Sequence, residues 1–159
     1  MATPLAPVPL DRLFASNPMV LVKLELIDRA GKTVADNFYW RGKTEASYRM
    51  LDTLRTVALT GSVAAPTVDG EDTVVTVTLA NPTAVPALNA KLTLVDAEGK
   101  RVLPAFYSDN YVALLPGEEK RIEIRYPRSS DHAPAALTLR GWNVVQSDHF
   151  ITLARQPAR

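Results

Sequence analysis

Around residue 122 the chain changes character at every step: Ile122, Ile124 and Tyr126 alternate with Arg121, Glu123 and Arg125. Successive side chains of a β-strand point to opposite faces, so this pattern demands a strand with one face in a core and the other in water. The same period recurs. Val75, Val77 and Leu79 alternate with Val74, Thr76 and Thr78; Ala90, Leu92 and Leu94 open another face; Val22, Leu24 and Leu26 alternate with Leu21, Lys23 and Glu25. A chain built on period two has little choice but to form antiparallel sheets.

The punctuation between these runs is equally consistent. Asp28-Arg29-Ala30-Gly31 turns the first run into Thr33–Trp40, predicting a hairpin. Thr56–Val63 reads as a strand, followed by an Ala-Pro-Thr-Val-Asp-Gly loop, and Asn81-Pro82 ends the next strand. Asp96–Lys100 is a hairpin-type turn before a strand over Arg101–Tyr107. Leu115-Pro116-Gly117-Glu118 places Pro where φ is preset and Gly where φ can be positive. Ala135–Val144 and Asp148–Leu153 complete the strands. One segment differs. In Lys43–Arg55, Tyr48, Leu51 and Leu54 recur every three residues, predicting a short helical or turn-like stretch. Residues 1–17, with Pro4, Pro7 and Pro9, read as an extended leading segment; they lack the basic start and unbroken apolar run of a signal peptide.

Seven to eight short strands over about 100 residues, with turns every 8 to 12, predict an all-β, immunoglobulin-like antiparallel sandwich, with a jelly roll as the alternative. The strands of residues 55–159 suffice for that sandwich, so residues 1–54 form a separate part: a leading segment, an extra N-terminal hairpin and a connector. A two-stranded hairpin is marginal alone in water. It must pack on this domain, on a neighbouring domain or on another copy of the chain.

Composition limits the chemistry. The 159 residues contain no cysteine, which removes disulfides, thiol nucleophiles and thiolate zinc sites, and only two histidines. Eighteen Lys and Arg against seventeen Asp and Glu give no electrostatic reason to expect nucleic acid or an anionic membrane. No stretch approaches eighteen apolar residues. Asp69-Gly70-Glu71-Asp72 reads as an acidic hairpin loop, with a calcium site as the alternative. Ser147-Asp148-His149 has the letters of a catalytic triad, but neighbouring strand residues face opposite ways and cannot relay a proton in order. His132 follows Asp131 in an exposed loop. No catalytic residue, cofactor or metal site is assigned.

The aromatic residues remain. Phe38-Tyr39-Trp40 and Gly141-Trp142-Asn143 hold both tryptophans. Strand parity from Leu137 and Leu139 puts Trp142 outward, where it would be a domain interface or a sugar platform; a bulge at Gly141 would return it to the core. Asn110 stands where a chain reversal begins, its amide able to bond nearby backbone. Trp142, Trp40, Tyr111 and Asn110 are therefore the candidate interface or sugar contacts.

Three stretches carry a resemblance. Tyr107-Ser108-Asp109-Asn110-Tyr111 through Leu115-Pro116-Gly117-Glu118, Gly141-Trp142-Asn143-Val144, and Asp36-Asn37-Phe38-Tyr39-Trp40 followed by Tyr48 and Leu51–Leu54 occur in an order that resembles the C-terminal region of glycoside hydrolase family 2 enzymes of the exo-β-D-glucosaminidase and β-mannosidase type. The resemblance implies a parent of five domains with a catalytic barrel, residues 19–40 as the last strands of its fourth domain and 55–154 as its fifth. No residue here matches the family's two catalytic glutamates, which belong to the barrel. It implies as partners the barrel and neighbouring domains, with an oligosaccharide or self-association through the hairpin as further possibilities. The parent would be periplasmic or secreted; nothing in the sequence locates this chain itself. The expected function is a non-catalytic accessory domain, the alternative a module binding chitosan or mannan.

Overall fold

The computed structural model describes residues 6–128 and 133–153, and the chain falls into two compact units, Met1–Leu54 and Arg55–Arg159.

The first unit begins with a helix, α1 (Leu10–Phe14), where extended chain was expected. Pro9 sets φ at −78° just ahead of it, Asp11 lies in its first turn, and Leu10, Leu13 and Phe14 fall at helical spacing. Strands β1 (Met19–Ile27) and β2 (Thr33–Gly42) then form the hairpin. Asp28 builds its turn, with its Oδ1 accepting from the Ala30 and Lys32 N–H groups at 2.8 and 2.9 Å. The stretch with period three becomes a 3₁₀ helix, Glu45–Thr53, in keeping with three residues per turn. Its first turn carries a capping box in which Thr44 N–H donates to Ser47 Oγ.

The second unit is the sandwich. Its strands are β3 (Thr60–Val63), β4 (Thr67–Asp69), β5 (Asp72–Ala80), β6 (Ala87–Val95), β7 (Phe106–Tyr107), β8 (Val112–Leu114), β9 (Glu119–Pro127), β10 (Ala136–Arg140) and β11 (Ser147–Thr152). One sheet runs β11-β10-β6-β8; the other runs β3-β5-β9-β7, with β4 also on β5. All pairings between these strands are antiparallel. Strands β3 and β4 meet opposite ends of β5 and act as one edge interrupted at Ala64-Ala65-Pro66, so the expected loop contains a strand. Inward residues of both sheets fill the core: Val75, Val77 and Leu79 from β5, Ala90, Leu92 and Leu94 from β6, Ile122, Ile124 and Tyr126 from β9, Leu137 and Leu139 from β10.

Three expected strands are redrawn. Thr56–Val63 starts as a strand only at Thr60; Val57 forms a parallel bridge with Val144 instead. Arg101–Tyr107 is split, because Arg101 bridges Val95 of β6 while Phe106 and Tyr107 pair with β9 in the opposite sheet. The chain crosses between sheets around the cis Leu103–Pro104 bond. Ala135–Val144 ends as a strand at Arg140; beyond it the Trp142 N–H donates to Leu88 O of β6, and the Asn143 side chain bonds Leu88 N–H, Pro86 O and Arg55 O.

Candidate functional site

The motif Tyr107 to Glu118 is the crossing from one sheet to the other. Ser108 N–H donates to Glu123 O at 2.8 Å, and Glu123 N–H returns a bond to Ser108 Oγ at 2.9 Å, which holds this end on β9. Asp109 faces Lys120 at 2.7 Å. Asn110 then reaches β6. Its Oδ1 accepts from Leu92 N–H at 2.9 Å and its Nδ2 donates to Leu92 O at 3.0 Å, so one side chain occupies the place of a strand partner. Two positions along, Leu94 N–H donates to the Tyr107 hydroxyl at 2.8 Å. Burial pushes that phenol above its ordinary pKa, against the bond from Leu94 and the charge of Arg101. Edge groups of β6 that β8 is too short to cover are thus satisfied by the motif's side chains.

The turn after β8 follows the same logic. Gly117 has φ of +78°, and Glu118 Oε2 accepts from Leu115 N–H at 2.8 Å. Asn81 locks this turn to the end of β5, its Nδ2 donating to Val85 O and Leu114 O at 2.8 and 3.0 Å.

The Gly141-Trp142-Asn143 stretch is a third clamp. Buried Asn143 accepts from Leu88 N–H at 2.9 Å and donates to Arg55 O and Pro86 O at 3.0 and 2.8 Å. Gly141 is required by space: a Cβ there would lie 2.6 Å from Val144 Cγ2 and 3.2 Å from Leu88 O.

Of the four candidate contact residues, Asn110 is this internal clamp. Tyr111 and Trp142 are exposed, 59% and 51%; Tyr111 directly precedes β8, and the Trp142 N–H donates to Leu88 O of β6 at 2.9 Å. Trp40 belongs to the first unit, half-buried in β2 opposite Leu21, with its carbonyl accepting from the Tyr48 hydroxyl at 3.3 Å. Sequence reasoning missed Lys91, whose ammonium stands 5.1 Å from the centre of the Tyr111 ring. Only strand register brings those two together.

The other chemical readings resolve simply. Arg125 lies 2.8 Å from Asp69 and 3.5 Å from Asp72, so a guanidinium stands between the carboxylates that could have held calcium. Those hydrogen bonds and charges raise the Arg125 pKa, the Asp69 bond most of all. No cluster of three metal-ligating side chains occurs among the described residues. Asp148 accepts a hydrogen bond from Arg140, and His149 is exposed beside it. His132 lies outside the described residues. An open depression of about 360 Å³ in the first unit is lined by Asp11, Phe14, Ala15, Gly42 and Lys43.

Residues 37–144 match the family described as the exo-beta-D-glucosaminidase Ig-fold domain. The chain is 34% identical over 128 residues to the exo-beta-D-glucosaminidase of Hypocrea jecorina, covering 67% of this chain and 14% of that protein. It is 33% identical over 147 residues to the enzyme of the same name from Streptomyces avermitilis, covering 79% and 16%. Among solved structures, the Amycolatopsis orientalis exo-chitosanase CsxA superposes with a TM-score of 0.74 at 27% identity, over 82% of this chain and 18% of that one. The chain thus spans about one-sixth of the length of the relatives it matches. With the sandwich, the three clamps and these matches in agreement, the chain belongs to the exo-β-D-glucosaminidase Ig-fold domain family.

Proposed function

We propose that this chain is a non-catalytic, structural accessory region of a glycoside hydrolase that acts on β-linked glucosamine. Residues 55–159 are its immunoglobulin-like domain, and residues 1–54 carry the closing strands of the domain before it. One observation carries the reading: the polar groups of the family motifs bond backbone inside the sandwich. Tyr107, Asn110, Glu118 and Asn143 all do so, and none converges on a cleft. The carboxylates Asp69, Asp72, Asp109 and Asp148 face Arg or Lys. Retaining or inverting glycosidases need two carboxyl groups flanking one bond. The matching family and relatives favour glucosamine over mannose as the parent's substrate.

The test is hydrolysis of aryl β-glucosaminide and aryl β-mannoside. The full-length gene product turns over the glucosaminide, and the purified 159-residue chain releases nothing from either. Turnover by the short chain that one Asp or Glu substitution abolishes would overturn the reading. A second reading, direct sugar binding, draws on the two exposed aromatics Tyr111 and Trp142. Saturable binding of chito-oligosaccharides to the isolated chain, tighter than about millimolar by titration calorimetry, would establish it instead.

A further inference from the structure

Strand β1 has an open edge. Among the described residues its only ladder partner is β2, and Leu24, Leu26 and Ile27 toward its far end are exposed. An uncovered edge offers a row of backbone donors and acceptors to any strand that matches it, and proteins guard such edges with Pro or unmatched charge. This strand holds no Pro. Its two charges, Lys23 and Glu25, are opposite in sign and share one face, where they meet at 3.4 Å. That spacing makes β1 complementary to itself. Two copies of one strand that pair antiparallel are related by a twofold axis normal to the sheet, so facing residues lie at equal distances either side of it. With the axis at Leu24, Lys23 faces the second copy's Glu25, Glu25 faces its Lys23, and Val22 faces its Leu26. Neighbouring registers fail. An axis at Lys23 sets Lys against Lys and Leu21 against Glu25; an axis at Glu25 sets Glu against Glu and Lys23 against Ile27. Like charges directly opposite are destabilising, whereas opposite ones attract. The β2 edge has no such match: its charges, Asp36 and Arg41, are an odd number of residues apart, and facing residues about such an axis always differ by an even number. The ladder shift between Leu26 and Ile27 ends the matched stretch at residue 26. Pairing would also turn a two-stranded hairpin, marginal alone, into a sheet of four strands.

We propose that two copies of this 159-residue chain pair antiparallel through the free edge of β1 over residues 22–26, about a twofold axis at Leu24. The pairing goes beyond the accessory-domain reading and does not depend on it. Sedimentation equilibrium of the 159-residue chain tests it, and a monomer–dimer equilibrium is expected. Lys23→Glu makes both facing pairs Glu–Glu and Glu25→Lys makes both Lys–Lys, so each variant alone should self-associate about tenfold more weakly. An equimolar mixture of the two variants puts opposite charges back at both pairs and regains association, which a merely unfolded hairpin could not do. Crosslinking reads the register, because the chain has no cysteine of its own. Leu24→Cys, which faces its own copy across the axis, should form a disulfide-linked dimer under mild oxidation faster than Val34→Cys, at a more exposed position on β2. A chain that stays monomeric up to about millimolar concentration overturns the proposal. So does a dimer that both charge variants keep, a mixture of the variants that stays dissociated, or equal crosslinking at the two positions.

Discussion

Asn110 and Gly117 show how much of the sandwich hangs on single residues. Leu92 has its N–H and C=O both bonded by one side-chain amide, so Asn110→Ala strips a strand partner from two backbone groups at once. Its expected cost is about 2–3 kcal/mol, read from urea unfolding, with Asn110→Asp intermediate because it keeps the acceptor alone. A Cβ on Gly117 would meet nothing within 4 Å, so Gly117→Val tests backbone strain rather than crowding. It should destabilise by about 1 kcal/mol or more, and an unchanged thermal midpoint would refute the turn. Tyr107 and Tyr126 add a pH dependence. Burial raises both phenols above their usual 10.0. Between that value and the raised one the unfolded chain holds fewer protons than the folded one, so stability falls as pH rises. Full stability below pH 10 and progressive loss above it are expected in denaturant titrations, with Tyr126→Phe flattening the slope. Gly117 was legible in the sequence, because Pro-Gly at a strand break announces positive φ. Asn110 was legible as a backbone-bonding residue, but its partner was not: Leu92 is eighteen positions away, and only the sheet order brings it near.

Among the elements, the turn Asp28-Arg29-Ala30-Gly31-Lys32 is repeated as Asp96-Ala97-Glu98-Gly99-Lys100, and both copies use the same bonds. In each, the Asp Oδ1 accepts from the N–H groups two and four residues on, and the Gly N–H donates to the Asp carbonyl. Local chemistry fixes such turns, so the sequence exposed them. Strand faces were legible for the same reason, since period two is a local property. The crossing at Leu103–Phe106 was not, because alternation tells which side of a strand is apolar and never which sheet the strand joins. Two glycines mark places where only the assembled fold reveals the constraint. A Cβ on Gly61 of β3 would press on the Phe150 ring at 2.6 Å and Ile151 Cδ1 at 2.8 Å, side-chain ends that can shift. On Gly141 it would meet Val144 Cβ at 2.8 Å and the backbone oxygen of Leu88, which cannot. Gly141→Ala should therefore cost more than Gly61→Ala, with overpacking of about 1–3 kcal/mol setting the scale. Thermal midpoints in the reverse order would show that the Trp142 segment yields more readily than its bonds to β6 imply.

At the scale of the whole molecule, the two units differ in what they bury. The sandwich encloses a continuous apolar cluster contributed by both sheets. The hairpin has two strands, and directly opposite residues share a face, so Val20, Val22, Leu24 and Leu26 line up with Arg41, Tyr39, Asn37 and Ala35. Leu24, Leu26 and Tyr39 on that face are exposed. At about 25 cal/mol per Å², an apolar stripe of this length is unfavourable to leave in water and marks a surface built to meet a sheet. The other face carries Leu21, Phe38 and Trp40 at one end and the Lys23–Glu25 ion pair toward the other. In the parent enzyme, on the reading proposed above, the stripe closes the preceding sandwich. On the same reading, the stripe is expected to add little to the stability of residues 55–159, whose apolar cluster is drawn from residues 57–153. Deleting residues 1–50 is therefore expected to leave a cooperatively folding, monomeric sandwich whose thermal midpoint moves by only a few degrees. It should also remove any concentration-dependent self-association of the longer chain, because the stripe and the free edges of the hairpin go with it. A truncated chain that fails to fold would mean that the sandwich draws on the first unit for its stability, and the boundary near residue 55 would have to move toward the N-terminus.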